Sequence, residues 1–435
     1  MNNFVLFGHI IHTPTPDTFS IRENSFLVCE NGLCAGIFDT LPEKYQSLPL
    51  QNYENQLIIP ALYDLHVHAP QYAFRGLGMD MELLDWLNAH AFTEEQLYAD
   101  REYADKAYTI FAEDLKNSPT ARAVIFGTVH TDATLLLMDK LEQTGLQCLV
   151  GKVNMDRNAP EALCEGISGI SETRRFLDTA LANFQNTKPI LTPRFLPSCT
   201  DELMKELFNL RKEYHLPVQS HLSENKGEIA WVKELCPWSE GYGDAYDKFE
   251  MLGGTFPTIM AHCVHSDEKE SALMKKNGVI VAHCPSSNFN LSSGIAPIRS
   301  FLDQGITVGL GTDIGAGYDI SVFRAMTDAV QVSKLKSSLW KENTPNQTPA
   351  ESGTSKRPAP ITLSEAFYMG TKAASAVFGN VGSFEKNVPF DALVLDDSSL
   401  TSPRILSVRD RIERAIYLEK QVKIVKKYVS GTCIF

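Results

Sequence analysis

The sequence predicts an α/β chain: an eight-fold β/α (TIM-like) barrel with a small β-sandwich domain formed by the two chain ends. Three observations predict it. Short β-rich runs recur, each followed by a longer helix-compatible segment. The runs are nearly continuously apolar, as strands buried on both faces must be. Both flanks carry strand and turn signals in place of that alternation. The expected division is residues 1–60 and 385–435 for the small β domain and 61–384 for the barrel.

At the N-terminal flank, "VCENGLCAGIFD" predicts a hairpin about Asn31-Gly32, a pair suited to a two-residue turn. The barrel strands are read in "LIIPALYDLHVHA", "AVIFGTVHT", "QCLVGKVNM", "PILTPRFL", "PVQSHLSE", "TIMAHCVHS", "VIVAHCPSS" and "ITVGLGTD". Between them, "TDELMKELFNLRKEYH" opens on the capping pair Thr200-Asp201, and "DEKESALMKKNG" closes on Gly278, as helix ends should. Residues 343–360, "NTPNQTPAESGTSKRPAP", are polar and Pro-rich and read as a poorly ordered loop. "TLSE" then forms a capping box of Thr362 and Glu365. Beyond residue 385, "NVPFDALVLDD" and "AIYLEKQVKIVKKYVSG" read as strands that join the N-terminal sheet.

Composition narrows the partners. A chain of 435 residues, 43% hydrophobic and 21% charged, can bury one large core or two modest ones. Its net charge of −13, with no basic patch, disfavours nucleic acid. The longest basic cluster, "KQVKIVKKY", reads as a solvated face. Nine dispersed cysteines without a C-x-x-C pair suggest reduced, buried thiols and a cytoplasmic location. "MNNFVLFGHIIHTPTP" lacks the features of a signal peptide, and no run approaches a membrane span.

The chemistry gathers where strands end. His66 and His68, at i and i+2 on one strand, point to the same face. Arg194, His221, His262 and Asp313 end other strands, and a closed barrel brings those ends around one mouth. Neutral imidazole and carboxylate are good ligands for zinc or another borderline divalent metal. Each residue also has a plainer reading. Asp313 could cap a helix, and His262 could be a satisfied core histidine. His283 reads as structural, and His130 and His265 as hydrogen-bonding residues; His9, His12, His90 and His215 carry no signal. Glu224, three residues after His221, could carry protons or cap the next helix. Arg194 offers a rigid fork or a structural ion pair, and Phe195 a stacking face or ordinary packing.

Taken together, "LHVHAPQY", "LLDWLNAHAF", "HTDATLLL", "VGKVNMDRN", "TPRF", "QSHLSEN", "MAHCV", "AHCPSSNFNLSSG" and "GLGTDIGAGY" resemble the amidohydrolase superfamily, and more narrowly its guanine deaminase branch. The resemblance covers roughly residues 60–340, and "PFDALVLD" extends it. It implies a barrel of the metal-dependent hydrolase type with one Zn2+ held by His66, His68, His221 and Asp313. It implies contacts to a purine from His68, Ala69, Pro70, Gln71, Arg194, Phe195, His221, Glu224 and Asp313. Glu224 would shuttle protons, Asp313 would take the water proton, and His262 would stabilise the attacked centre. The implied reaction is hydrolysis of guanine to xanthine and ammonia in purine catabolism and salvage, by a cytoplasmic homodimer. "KNSPTARAVIF" departs from the family, which is richer there in Gly and Thr, but lies away from the motifs.

Two-metal relatives bridge their ions with a modified lysine on the fourth strand. Here that strand reads "PILTPRFL"; Lys188 precedes it and Lys152 belongs to the third strand, which favours one metal. The cytidine-deaminase signature, H-x-E with P-C-x-x-C, does not occur. The alternatives are a relative acting on 8-oxoguanine, a triazine or a pterin, a non-catalytic barrel, and a cyclic-amide hydrolase.

Overall fold

The apolar run before the histidine pair builds the strand Leu62–His68, buried along its whole length. The chain, seen as a computed structural model, is described over residues 2–166, 169–339 and 357–435. Most of the loop expected at 343–360, residues 343–356, lies outside these. Leu62–His68 pairs in parallel with Thr120–Phe126, which continues through Gln147–Gly151 to Thr187–Pro189. A second parallel set runs Val218–Leu222, Thr258–His262, Ile280–His283, Thr307–Leu310.

Hydrogen bonds link the two sets at both edges. The Leu191 N–H donates to Pro217 O (3.1 Å), and the Gln219 N–H to Leu191 O (3.0 Å). At the other edge Asp313 N–H donates to His66 O and His68 N–H to Ile314 O, both at 2.8 Å. The intervening helices begin and end on the expected caps. Thr200 Oγ1 accepts from Leu203 N–H, Gly278 ends Glu268–Asn277 at φ 69°, and the Thr362–Glu365 box opens Leu363–Met369. Among the described residues no helix is long and apolar enough to cross a membrane.

The chain ends meet in one seven-stranded sheet. Its seam is the antiparallel pairing of Leu50–Pro60 with Ala392–Asp396, strands from opposite ends of the sequence. The hairpin forms as expected: Asn31 and Gly32 take φ of 56° and 81° between paired Glu30 and Leu33.

Three expectations need correction. "PILTPRFL" is not one strand but two fragments, Thr187–Pro189 and Thr192–Pro193. Prolines at 189 and 193 lack the N–H that a continuous ladder requires. "AIYLEKQ" is not strand, because Ala415–Tyr417 close a helix, Val408–Tyr417, and the strand starts only at Lys423. Val408, Ile412, Ala415 and Ile416 recur at helical spacing behind a Ser407–Asp410 capping box, a pattern hidden when the reading begins mid-helix. "KQVKIVKKY" is not wholly a solvated face, since Lys427 is fully buried. Its Nζ donates to Ser118 O and Thr120 O, both at 2.8 Å, and so ties the small sheet to the strand Thr120–Phe126.

One carboxylate makes the second tie. Asp391 accepts from Arg122 Nε (2.7 Å), Tyr63 Oη (2.8 Å) and Ser430 N–H (2.6 Å). Replacing it by alanine strands a buried guanidinium, so Asp391→Ala should destabilise by about 3–5 kcal/mol. A denaturant midpoint unchanged from the wild type would refute this.

Burial pushes the Lys427 ammonium from its ordinary 10.5 down to about 7. Between those values the folded chain binds fewer protons than the unfolded one, so this group's contribution rises with pH and is lost as pH falls toward 7. Lys427→Met should remove that slope: the stability of the wild type relative to the variant should increase from pH 7 to pH 10. Parallel pH–stability curves would count against it.

Candidate active site

Alternation along Leu62–His68 puts both imidazoles on the inner face. His68 Nε2 lies 3.2 Å from His66 Nε2 and 3.3 Å from His221 Nε2. Asp313 Oδ1 joins them, 3.2 Å from His66 Nε2 and 3.4 Å from His68 Nε2. The fit of this set to a metal can be tested on the geometry. Neighbouring ligands about 2.0–2.2 Å from a zinc-like ion stand roughly 3.3–3.6 Å apart, close to these four separations. His221 Nδ1 sits 2.6 Å from Arg194 O, so its proton is donated there and Nε2 keeps a lone pair for the cluster. Burial lowers the basicity of all three imidazoles, so each is neutral, as ligation requires. Burial alone would raise the Asp313 carboxyl, but His66 and its neighbours hold it well below the ordinary range. A second grouping, His66 with His262 and Cys284, is weaker because burial keeps the Cys284 thiol protonated.

The approach of Asp313 depends on the small residues before it. A Cβ at Gly311 would stand 2.8 Å from both Cys284 Sγ and His66 Cβ. Asp313 and His262 both take left-handed backbone, φ 50° and 71°, a strain characteristic of functional sites.

Around the cluster, His262 Nδ1 pairs with Asn288 Oδ1 at 2.9 Å, turning Nε2 toward Asp313 Oδ2 (3.7 Å) and Glu224 Oε2 (3.4 Å). Glu224 is buried and does not cap the next helix; Asn225 does. Burial, then the nearby Asp313 charge, pushes the Glu224 carboxyl up to about 8. Ser293 Oγ donates to Glu224 Oε1 (3.2 Å), and His265 Nε2 donates to Ser293 O (2.8 Å), so His265 stands one bond behind.

A cavity opens from this cluster between Gln71, Trp86, Arg194, Phe195, Glu224 and Leu291. Ala69 and Pro70 do not line it; they are buried in the turn Ala69–Phe74 that carries Gln71, with Pro70 O accepting from Tyr98 Oη. Arg194 both faces the cavity and makes a buried ion pair, 2.5 Å to Glu95. Burial lowers His283 to about 3, and neither ring nitrogen has a hydrogen-bond partner among the described residues. The His130 Nε2 likewise lacks the expected hydrogen bond. The cysteines are unpaired, seven of them buried.

Two residues escaped the sequence reading. Glu95 bridges Gln71 and Arg194, and Glu228 accepts from the N–H groups of Glu224 and Asn225 and from Tyr242 Oη. Glu228 had a signal, the N-x-x-E pattern from Asn225. Glu95, in "FTEEQ", looks like a solvated helix charge except for its i, i+3 relation to Phe92.

Strand-end histidines with an aspartate, set on parallel strands, make a donor set suited to a divalent metal. Residues 57–434 match the amidohydrolase family, and the chain belongs to that family. It is similar to the guanine deaminase of Mus musculus, 38% identical over 87% of this chain and 82% of that protein. It is 30% identical to the guanine deaminase of Escherichia coli (strain K12), over 100% of this chain and 96% of the relative. Among solved structures, guanine deaminase from C. acetobutylicum with bound guanine in the active site superposes with a TM-score of 0.92, at 44% identity and full coverage of both chains. A triazine hydrolase from Arthobacter aurescens shares the fold at 17% identity, TM-score 0.79, over 100% of this chain and 94% of its own.

The cluster predicts its own dependence on each donor. Elemental analysis should find a divalent metal in the wild type and find it lost from His66→Ala and Asp313→Ala. Full retention in both variants would put the ion elsewhere.

Proposed function

We propose that this chain is a zinc-dependent aminohydrolase that converts guanine and water to xanthine and ammonia. The observation that carries the reading is the buried Glu224 carboxyl, 3.4 Å from His262 Nε2, beside the cluster of His66, His68, His221 and Asp313 in a cavity edged by Arg194 and Gln71. The relatives named guanine deaminase support the same substrate.

His66, His68, His221 and Asp313 would hold one zinc, since Lys152 is engaged with Glu165 and Lys188 with Phe184 O, so neither bridges a second ion. When bound, zinc supplies Lewis acidity that lowers the pKa of water from about 15.7 to about 7. The side chains do the rest. Arg194 donates to the ring carbonyl, Gln71 meets the polar edge of the purine, and Phe195 packs on its face. Asp313, held ionised, takes the proton from the attacking water. Glu224 gives its proton to the ring nitrogen beside C2, then takes the remaining proton of the added hydroxyl. It delivers that proton to the departing amine as the C2–N bond breaks and the carbonyl forms. The proton held by Asp313 returns to Glu224 and resets both carboxyls. His262, oriented by Asn288, stabilises the oxygen at the tetrahedral carbon.

The same reading takes the two strand sets as one closed eight-fold barrel and the terminal sheet as a β-sandwich domain, divided at residues 60 and 385. The hydrogen bonds joining the sets at both edges support closure. A cluster of Phe4, Leu27, Ile58, Val394 and Tyr428 supports a sheet folded over its own core. Unpaired cysteines accord with the cytoplasm, and the resemblance with a homodimer.

Purified protein given guanine should release xanthine and ammonia, and should turn over 8-oxoguanine, a triazine and a pterin more slowly. Preference for another base would replace guanine as the substrate. Glu224→Gln keeps shape but cannot cycle a proton, so kcat should fall about 10²–10⁴-fold while zinc content and guanine affinity persist. Turnover within a few-fold of wild type would remove Glu224 from the mechanism.

A further inference from the structure

Beyond the groups assigned to the reacting atoms, one buried carboxylate is wholly committed to the recognition side of the cavity. Glu95 is 1% exposed and sits on the short helix Phe92–Gln96. Its two oxygens serve two different residues. Oε1 accepts from Gln71 Nε2 at 3.0 Å, and Oε2 accepts from Arg194 Nη1 at 2.5 Å. Gln71 is held at its other end as well, because the Gly315 N–H donates to its Oε1 at 3.3 Å. The Arg194 guanidinium also lies 5.1 Å from the Phe92 ring, on the same helix as Glu95. Gln71 and Arg194 line the cavity, whereas Glu95 stands behind them.

This arrangement has two consequences. The first is geometric. With its amide nitrogen on Glu95 and its oxygen on a backbone N–H, Gln71 has one orientation, and Arg194 has one rotamer. The second is electrostatic. Arg194 is only 3% exposed, so without Glu95 its charge would face the cavity uncompensated in a low dielectric. Such a site attracts anions. Paired with Glu95, the guanidinium still offers N–H donors, but the pair carries no net charge.

We infer that Glu95 is a positioning residue that fixes Gln71 and Arg194 and cancels the charge of Arg194, so that the cavity selects neutral carbonyl-bearing bases over anionic ones. The inference rests on the reading of the cavity as a purine site. It also bears on release of product, because oxidised purines are more acidic than guanine and a charge-balanced pocket does not retain their anions.

The test uses zinc-loaded full-length protein, guanine kinetics, and inhibition by two product-like probes: hypoxanthine, which is neutral, and urate, which is an anion at neutral pH. In Glu95→Gln the ratio of the urate to the hypoxanthine inhibition constant should fall about tenfold or more. The guanine KM should rise with kcat nearly unchanged, since the lost alignment serves ground state and transition state alike. In Glu95→Gln/Arg194→Gln the ratio should return to that of the wild type, because both charges are gone. Glu95→Asp carries the test even where the Gln variant yields no folded protein. It keeps the charge but withdraws the carboxylate, so KM should rise while the ratio holds. Metal content and thermal midpoint on the same samples separate these effects from damage to the fold. A ratio unmoved in Glu95→Gln, or collapsed in Glu95→Asp, overturns the inference while leaving guanine turnover by the wild type intact. A wild type that does not turn over guanine overturns the functional reading and this inference with it.

Discussion

Ring nitrogens of His66 and His221 and a carboxylate oxygen of Asp313 cannot all be brought within 3.4 Å of His68 Nε2 unless something else holds the strands that carry them. Much of that restraint is Asp64. It is fully buried, two residues before His66, and accepts from Thr312 N–H (3.0 Å), Thr312 Oγ1 (2.5 Å) and His66 N–H (3.2 Å). One carboxylate thereby ties the first ligand-bearing strand to the segment that ends in Asp313. Main-chain bonds from Asp313 to His66 and from His68 to Ile314 complete the seam. The donor cluster is thus assembled by hydrogen bonds that do not involve the donors' own ligating atoms, which is what preorganisation requires.

The same device recurs at two other buried carboxyls. Asp391 gathers Arg122, Tyr63 and Ser430 where the terminal sheet meets the strand set, and Glu228 gathers two backbone N–H groups and Tyr242 beneath Glu224. In each case the carboxylate lies in an interior where an unpaired polar group is expensive, and in each case both oxygens find donors from separate elements. The donors to Asp391 are far apart along the chain, so loosening that carboxylate loosens several elements at once.

The sequence disclosed the parts whose function depends on the ends of strands. Two histidines at i, i+2, a histidine and a carboxyl three residues apart, and an aspartate after glycines are local patterns, and His66, His68, His221, Glu224 and Asp313 do converge. What stayed hidden depends on partners distant in sequence. Only its i, i+3 relation to Phe92 distinguishes Glu95 from Glu94 beside it, yet one is buried against Arg194 and the other bonds Tyr103 in a half-buried setting. Lys427 belongs to a basic run, and only the position of the carbonyls of Ser118 and Thr120 explains why it is inside. The helix Val408–Tyr417 and the broken strand at Thr187–Pro193 were misread for a different reason. Both turn on where an element starts or is interrupted, which composition specifies poorly.

Two carboxyl groups in one cavity end in opposite protonation states, and the environment of each explains why. Asp313 is surrounded by His66, His68 and His262, and their ring nitrogens outweigh its burial and keep it ionised. Glu224 has Ser293 as its hydrogen-bond donor and faces the charge of Asp313, so burial and repulsion act in the same direction and keep it protonated up to about pH 8. Glu228, next to Glu224, is itself pushed up to about 7 by burial and then by the Glu224 charge. A cation held by the histidines and Asp313 would deepen the ionised state of Asp313. The same short distances therefore hold one carboxyl low and the other high. Separating the two carboxyls in this way is what acid–base chemistry on a neutral heterocycle needs, and it follows from which side chains end the strands around them.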